Sequence, residues 1–164
     1  MKEKIKVLMV CHGNICRSPM AEFIFKHLLA THTPPLTDHF HVASAATSTE
    51  EIWNGIGNPV YPPAREELAK HGISCDGKRA VQVTRADYDH YDYLICMDNN
   101  NLRNLSRIIG PDKDNKVSLL LDYAGRSGES IADPWYTGDF RTTYNDILQG
   151  CQGLLKFLLK ITEK

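Results

Sequence analysis

The chain of 164 residues lacks any excess of charge: 19 Lys and Arg stand against 20 Asp and Glu, a formal net charge of −1. Proteins that hold nucleic acid through its phosphates carry a basic footprint, so no nucleic-acid partner is expected. No apolar run approaches the ~18 residues that cross a bilayer, which argues against a membrane span. Met1-Lys2-Glu3-Lys4 leads directly into a short apolar run without a signal-peptide pattern. Repeats, low-complexity tracts and dividing linkers are all missing, so residues 1–164 are read as one domain. Cysteine is sparse and odd in number, five in all. That count fits reduced thiols in a cytoplasmic protein better than a disulfide scaffold.

What is present is a 42% hydrophobic content, ample for a core, and one stretch that organises the rest. Ile5-Lys6-Val7-Leu8-Met9-Val10 reads as a strand, and Cys11-His12-Gly13-Asn14-Ile15-Cys16-Arg17-Ser18 follows as a tight loop. A helix over 19–31 comes next, with Ser18 as N-cap, Pro19 in its first position, and Phe23, Ile24, His27 and Leu28 at helical spacing. Strand, loop and helix N-terminus in that order make an anion site, because loop and first-turn N–H groups converge on one point.

Further along, strands are expected at 40–45, 93–97 and 117–121, and helices at about 63–70, 84–91, 98–109 and 139–160. Asp98 is expected to cap the third of these helices. Long loops fill 47–63 and 122–138, and loops of that length in a compact domain are usually functional. The alternation predicts an α/β three-layer sandwich around a four-stranded parallel sheet, flavodoxin-like in order 2-1-3-4, with the phosphate loop after strand 1. Ligands in such sheets bind beyond the carboxyl ends of the strands, so Cys11, Ser44, Asp98 and the 122–138 loop can be neighbours.

The residue types in the loop suit phosphoryl transfer. Converging N–H dipoles and a guanidinium favour thiolate, and such settings lower a cysteine pKa to roughly 3.5–7.5. Arg17 can grip two phosphoryl oxygens in its planar fork. Ser18 can donate to the sulfur and so improve it as a leaving group. Gly13 is read as permitting an unusual φ, and Asn14 as tolerating the left-handed conformation. A phenolate leaving group needs a proton, and Asp98, Asp122 and Asp133 all qualify as donors on the right edge. Trp53 and Trp135, with Tyr136 beside it, are candidate walls of a slot for a flat aryl phosphate.

Cys11 through Glu22 resembles the signature of the low-molecular-weight protein-tyrosine phosphatases. The likeness continues through Ser44-Ala45-Ala46-Thr47-Ser48, Gly57-Asn58-Pro59, Asp92 to Asp98, Asn101-Leu102-Arg103 and Asp133-Pro134-Trp135-Tyr136, and so covers essentially the whole chain. It implies a metal-free, two-step hydrolysis of phosphotyrosine or small aryl phosphates through a cysteinyl-phosphate. Phosphate, sulfate or vanadate would occupy the loop His12-Gly13-Asn14-Ile15-Cys16-Arg17. The resemblance selects Asp133 as acid, makes Asn14 and Ser44 buttresses of the loop, and makes Cys16 a reversible disulfide partner for Cys11. The chain departs from the family where a segment often reading Gly-His-Arg-Ala-Arg-Gln is Gly77-Lys78-Arg79-Ala80-Val81-Gln82. Lys78 replaces a buttressing histidine, so a rearranged network with activity retained is expected. The alternatives are an arsenate reductase on the same scaffold and a non-catalytic phosphotyrosine-binding module. No metal or cofactor is called for: His39 and His41 lack a third ligand, and Asp112-x-Asp114 lacks the Gly and Glu of a calcium loop.

Overall fold

The structure, a computed structural model, describes residues 4–162; the lead-in Met1–Glu3 and residues 163–164 lie outside the described residues. Strands β1 (Ile5–Cys11), β2 (Phe40–Ala46), β5 (Tyr93–Cys96) and β6 (Val117–Leu119) form one sheet in the order β2-β1-β5-β6. All three pairings are parallel. This is the expected 2-1-3-4 order, and two further short strands, β3 (Ile52–Trp53) and β4 (Ile56–Gly57), stand apart as a hairpin. The helices are α1 (Arg17–Thr31), α2 (Pro62–Ala69), α3 (Asp87–His90), α4 (Asn99–Ile109), α5 (Pro134–Thr137) and α6 (Phe140–Thr162). Among the described residues no helix is long and apolar enough to cross a membrane.

β1 is apolar on both faces because both faces are covered. Val7 and Met9 point into a core with Ile24 and Phe25 of α1 and Ile147 and Leu154 of α6. Leu8 and Val10 point the other way, against Leu105 and Ile109 of α4. The strand pairs with β2 on one side and β5 on the other, so its C-terminal end is the topological switch point. Cys11 is the last residue of that strand.

Four details differ from the expectation. Helix α1 begins at Arg17 with Cys16 as N-cap, and Ser18 sits inside the first turn with its hydroxyl on Cys11 rather than on the helix N–H groups. The sheet-facing side of α1 is Met20, Ala21, Ile24, Phe25 and Leu29, while Phe23, His27 and Leu28 are only partly covered. β6 stops at Leu119, and Leu120–Ala124 turns into a 3-10 helix that buries Leu120 and Leu121. Finally, the 47–63 loop contains the β3–β4 hairpin, turned by Asn54 (φ 49°) and Gly55 (φ 77°). An Asn-Gly pair with both φ positive is the favoured two-residue hairpin turn, a signal already present in the sequence.

The hairpin is strapped to the segment 77–82. Arg79 Nη1 donates to Gly57 O at 2.9 Å, and Ala80 N donates to Asn58 O at 2.9 Å. The approach is so close that a Cβ on Gly57 would lie 1.8 Å from Ala80 O. Gly57→Ala is therefore expected to push the two segments apart and destabilise the protein by about 1–3 kcal/mol in urea unfolding.

Candidate active site

Three polar groups close on the sulfur of Cys11, a buried residue (4% exposed) that lines the cleft. Asn14 N–H reaches it at 3.3 Å and Ser18 N–H at 3.4 Å, while Ser18 Oγ stands 2.9 Å away. Asn14 takes the left-handed conformation expected of it, φ 61°. Gly13 does not: its φ is not positive, and what its missing Cβ leaves room for is Glu51, whose Cγ would lie 3.3 Å from such an atom.

The orientation of the Asn14 amide follows from one backbone group. Val81 N–H can only donate, and it reaches Asn14 Oδ1 at 3.1 Å. Asn14 Nδ2 must then face the other way, where it donates to Ser18 Oγ at 2.8 Å and to Ser44 Oγ at 3.0 Å. Each hydroxyl, having accepted from Asn14, has its own proton free for another partner. The Ser18 hydroxyl stands against Cys11 Sγ, to whose thiolate it would donate, and Ser44 donates to Glu22 Oε1 at 2.6 Å. Asn14 and Ser44 are thus brought together as expected. Glu22 was missed, although a lone carboxylate within the apolar run from Met20 to Phe25 marks a buried charge that needs partners.

Arg17, the first residue of α1, is buried and held by α4 and the 122–138 loop. Its Nη1 donates to Asp98 Oδ2 at 2.7 Å and to Ile131 O at 2.8 Å; its Nη2 lies 3.6 Å from Asp133 Oδ2. Burial alone would lower the guanidinium pKa, but Cys11, Asp98 and Asp133 outweigh it and hold it above the ordinary arginine value. Asp98 does two jobs with its two oxygens: Oδ1 caps α4 by accepting Asn101 N–H at 2.8 Å, as expected, and Oδ2 pins Arg17. Asp133 caps the short α5 through Trp135 N–H at 3.0 Å, so its other oxygen is the one turned toward Arg17. Asp122 instead binds the backbone of Leu119 and Gly128 around its own loop.

The cleft mouth is half aromatic and half acidic. Trp135 and Tyr136 line one side, with the Trp135 ring packed at a tilt of 51° against Tyr61, 4.7 Å between centroids. Trp53, expected opposite them, is 74% exposed on the hairpin and does not line the cleft; Glu50 and Glu51 do. The tight Asn54-Gly55 turn carries the Trp53 ring outward. His12 Nε2 lies 2.9 Å from Glu50 Oε2 at the rim. Cys16 also lines the cleft, its thiol pushed up to about 12 by burial first and then by Cys11 and Asp133.

The sequence profile described as "Low molecular weight phosphotyrosine protein phosphatase" matches residues 6–164. The chain is 41% identical over 157 residues to the low-molecular-weight protein-tyrosine-phosphatase YfkJ of Bacillus subtilis, covering 95% of this chain and 97% of that protein. The chain belongs to the low-molecular-weight protein-tyrosine phosphatase family. Its relatives are phosphoric monoester hydrolases. The YfkJ crystal structure superposes with a TM-score of 0.89 at 39% identity, over 97% of each chain. Wzb of Vibrio vulnificus, solved with benzylphosphonate, superposes with a TM-score of 0.78 at 28% identity, over 93% of this chain and 98% of that one.

Against this family pattern the two substitutions at Lys78 and Val81 have clear consequences. The backbone N–H of Val81 orients Asn14, so the side chain lost at that position is not needed for it. Lys78 reaches into the network from below, with Nζ donating to Ser44 O at 2.9 Å.

Because Asp98 both caps α4 and neutralises a buried guanidinium, Asp98→Ala is expected to cost about 2–4 kcal/mol in urea unfolding. Asp98→Asn, which keeps a capping oxygen, is expected to cost less.

Proposed function

We propose that the protein hydrolyses aryl phosphate monoesters, phosphotyrosine above all, through a cysteinyl-phosphate. The observation that carries this reading is the convergence of Asn14 N–H, Ser18 N–H and the Ser18 hydroxyl on Cys11 Sγ, with Arg17 and Asp133 facing the same cleft. Those donors stabilise negative charge on the sulfur in the first state and on phosphoryl oxygens in the transition state.

In the first step Cys11 Sγ forms a bond to phosphorus while the P–O bond to the aryl group breaks. The electron pair leaves on the phenolic oxygen, which takes a proton from Asp133. In the second step Asp133, now a carboxylate, removes a proton from water as its oxygen attacks phosphorus. The P–S bond then breaks, its pair returns to sulfur, and the Ser18 hydroxyl stabilises the departing thiolate. Arg17 binds equatorial oxygens in both steps. The loop from His12 to Arg17 also takes inorganic phosphate, sulfate or vanadate as competitors, a reading supported by the phosphonate bound in the Vibrio relative.

Trp135, Tyr136 and Ile15 give an aryl ring apolar surface to lie against, which favours phosphotyrosine over the shorter phosphoserine. Arsenate reduction needs two further cysteines on a mobile segment, and Cys75, Cys96 and Cys151 are each buried with thiols pushed up by that burial. Cys16 remains the proposed reversible disulfide partner of Cys11. All five cysteines are unpaired, which suits a reducing compartment such as the cytoplasm.

Cys11→Ser is expected to abolish hydrolysis of para-nitrophenyl phosphate while leaving the circular dichroism spectrum and phosphate binding intact; retained turnover would overturn the mechanism. Asp133→Ala is expected to slow turnover by about 10²–10⁴-fold for phenyl phosphate and far less for a leaving group that departs unprotonated. Equal losses with both would remove Asp133 from the role of acid.

A further inference from the structure

Lys78 touches none of the reacting atoms, yet its side chain is only 12% exposed. Its Nζ donates to the main-chain carbonyl of Ser44 and lies 3.7 Å from Glu22 Oε1. That same Oε1 accepts the Ser44 hydroxyl. Ser44 is thus gripped from both ends, its carbonyl by Lys78 and its hydroxyl by Glu22, and Asn14 bonds to it through Nδ2. The charged and titratable groups facing Nζ are Glu22 and Lys26 of α1 and Cys11 of β1, and Lys26 already holds the other Glu22 oxygen at 2.6 Å.

We propose that Lys78 is a positioning residue for the phosphate loop and that its ammonium form is required for full anion affinity. The charge holds Glu22 and Ser44 in place, those two hold Asn14, and Asn14 at φ 61° aims the loop N–H groups at Cys11 and at a bound oxyanion. A neutral amine can still donate a hydrogen bond, but it leaves the Glu22–Ser44 end of the network without its buried cation. Burial pushes the Lys78 ammonium below the ordinary lysine range; Lys26 adds to this while Glu22 and Cys11 oppose it. The ammonium persists below that lowered value, so anion affinity is full there and falls as pH rises through it. An arginine at this position stays charged throughout.

The inference rests on the reading of the Cys11 loop as a phosphate site. Calorimetric titration with inorganic phosphate between about pH 8 and pH 11 tests it in the wild type, Lys78→Arg and Lys78→Met, since lysine titrates in that range and arginine does not. Affinity in the wild type is expected to fall roughly tenfold across the range, to stay level in Lys78→Arg, and to be about tenfold weaker throughout in Lys78→Met. A Lys78→Arg curve that falls as the wild type does, or a wild-type curve that stays level, overturns the proposal; a purely structural lysine would give the latter. If Lys78→Met does not fold, the comparison of wild type with Lys78→Arg decides alone. A wild type that binds no phosphate at any pH is a distinct result, and it removes the phosphate-site reading together with the part given to Lys78.

Discussion

N–H groups that converge on one point repel each other, and a loop built from them stays open only if it is held from behind. Here the holding is done by one amide. Asn14 contributes its own N–H to Cys11 Sγ, adopts the left-handed turn that re-aims the chain, and ties Ser18, Ser44 and Val81 together through its side chain. The single proton on Val81 N fixes which end of that amide faces the loop. The Ser18 proton is thereby released for the sulfur and the Ser44 proton for Glu22. Cys11 Sγ and the Glu22 carboxylate in the core beneath it are two ends of one hydrogen-bonded chain.

The sheet supplies the other requirement, which is to bring four distant segments to one edge. β1 ends at Cys11 between β2, which carries Ser44, and β5, which runs into Asp98. The helix that opens at Arg17 points its N-terminus into the same crevice, where dipole and orphan N–H groups favour an anion. Asp98 and the Ile131 carbonyl fix a guanidinium that would otherwise be a costly buried cation, and Asp133 faces it from the start of α5.

Much of this was legible in the sequence because it rests on local rules. A buried parallel strand, a Gly-Asn loop and a helix start are written in consecutive residues, and the order of strands and helices predicts the topology around them. Asp98 as a cap was equally local. The contacts that were missed are long-range: the second oxygen of Asp98 reaching Arg17, Glu22 beneath Ser44, and Lys78 beneath both. Ser18 looked like an N-cap because it precedes Pro19, but a sulfur three donors deep competes better for its hydroxyl. Trp53 was misplaced for a different reason, since the Asn54-Gly55 turn that faces it outward was passed over within a long loop.

Anion binding at the end of β1 is what these arrangements serve, and alkylation by iodoacetate at about pH 6, where an ordinary thiol reacts slowly, tests the reactivity of Cys11 most directly. With modified residues mapped by mass spectrometry, Cys11 is predicted to react alone and to be protected by saturating phosphate, while Cys16, pushed up to about 12, stays intact. An unreactive Cys11, or a Cys11 that reacts equally fast with phosphate present, would contradict the role given to the loop.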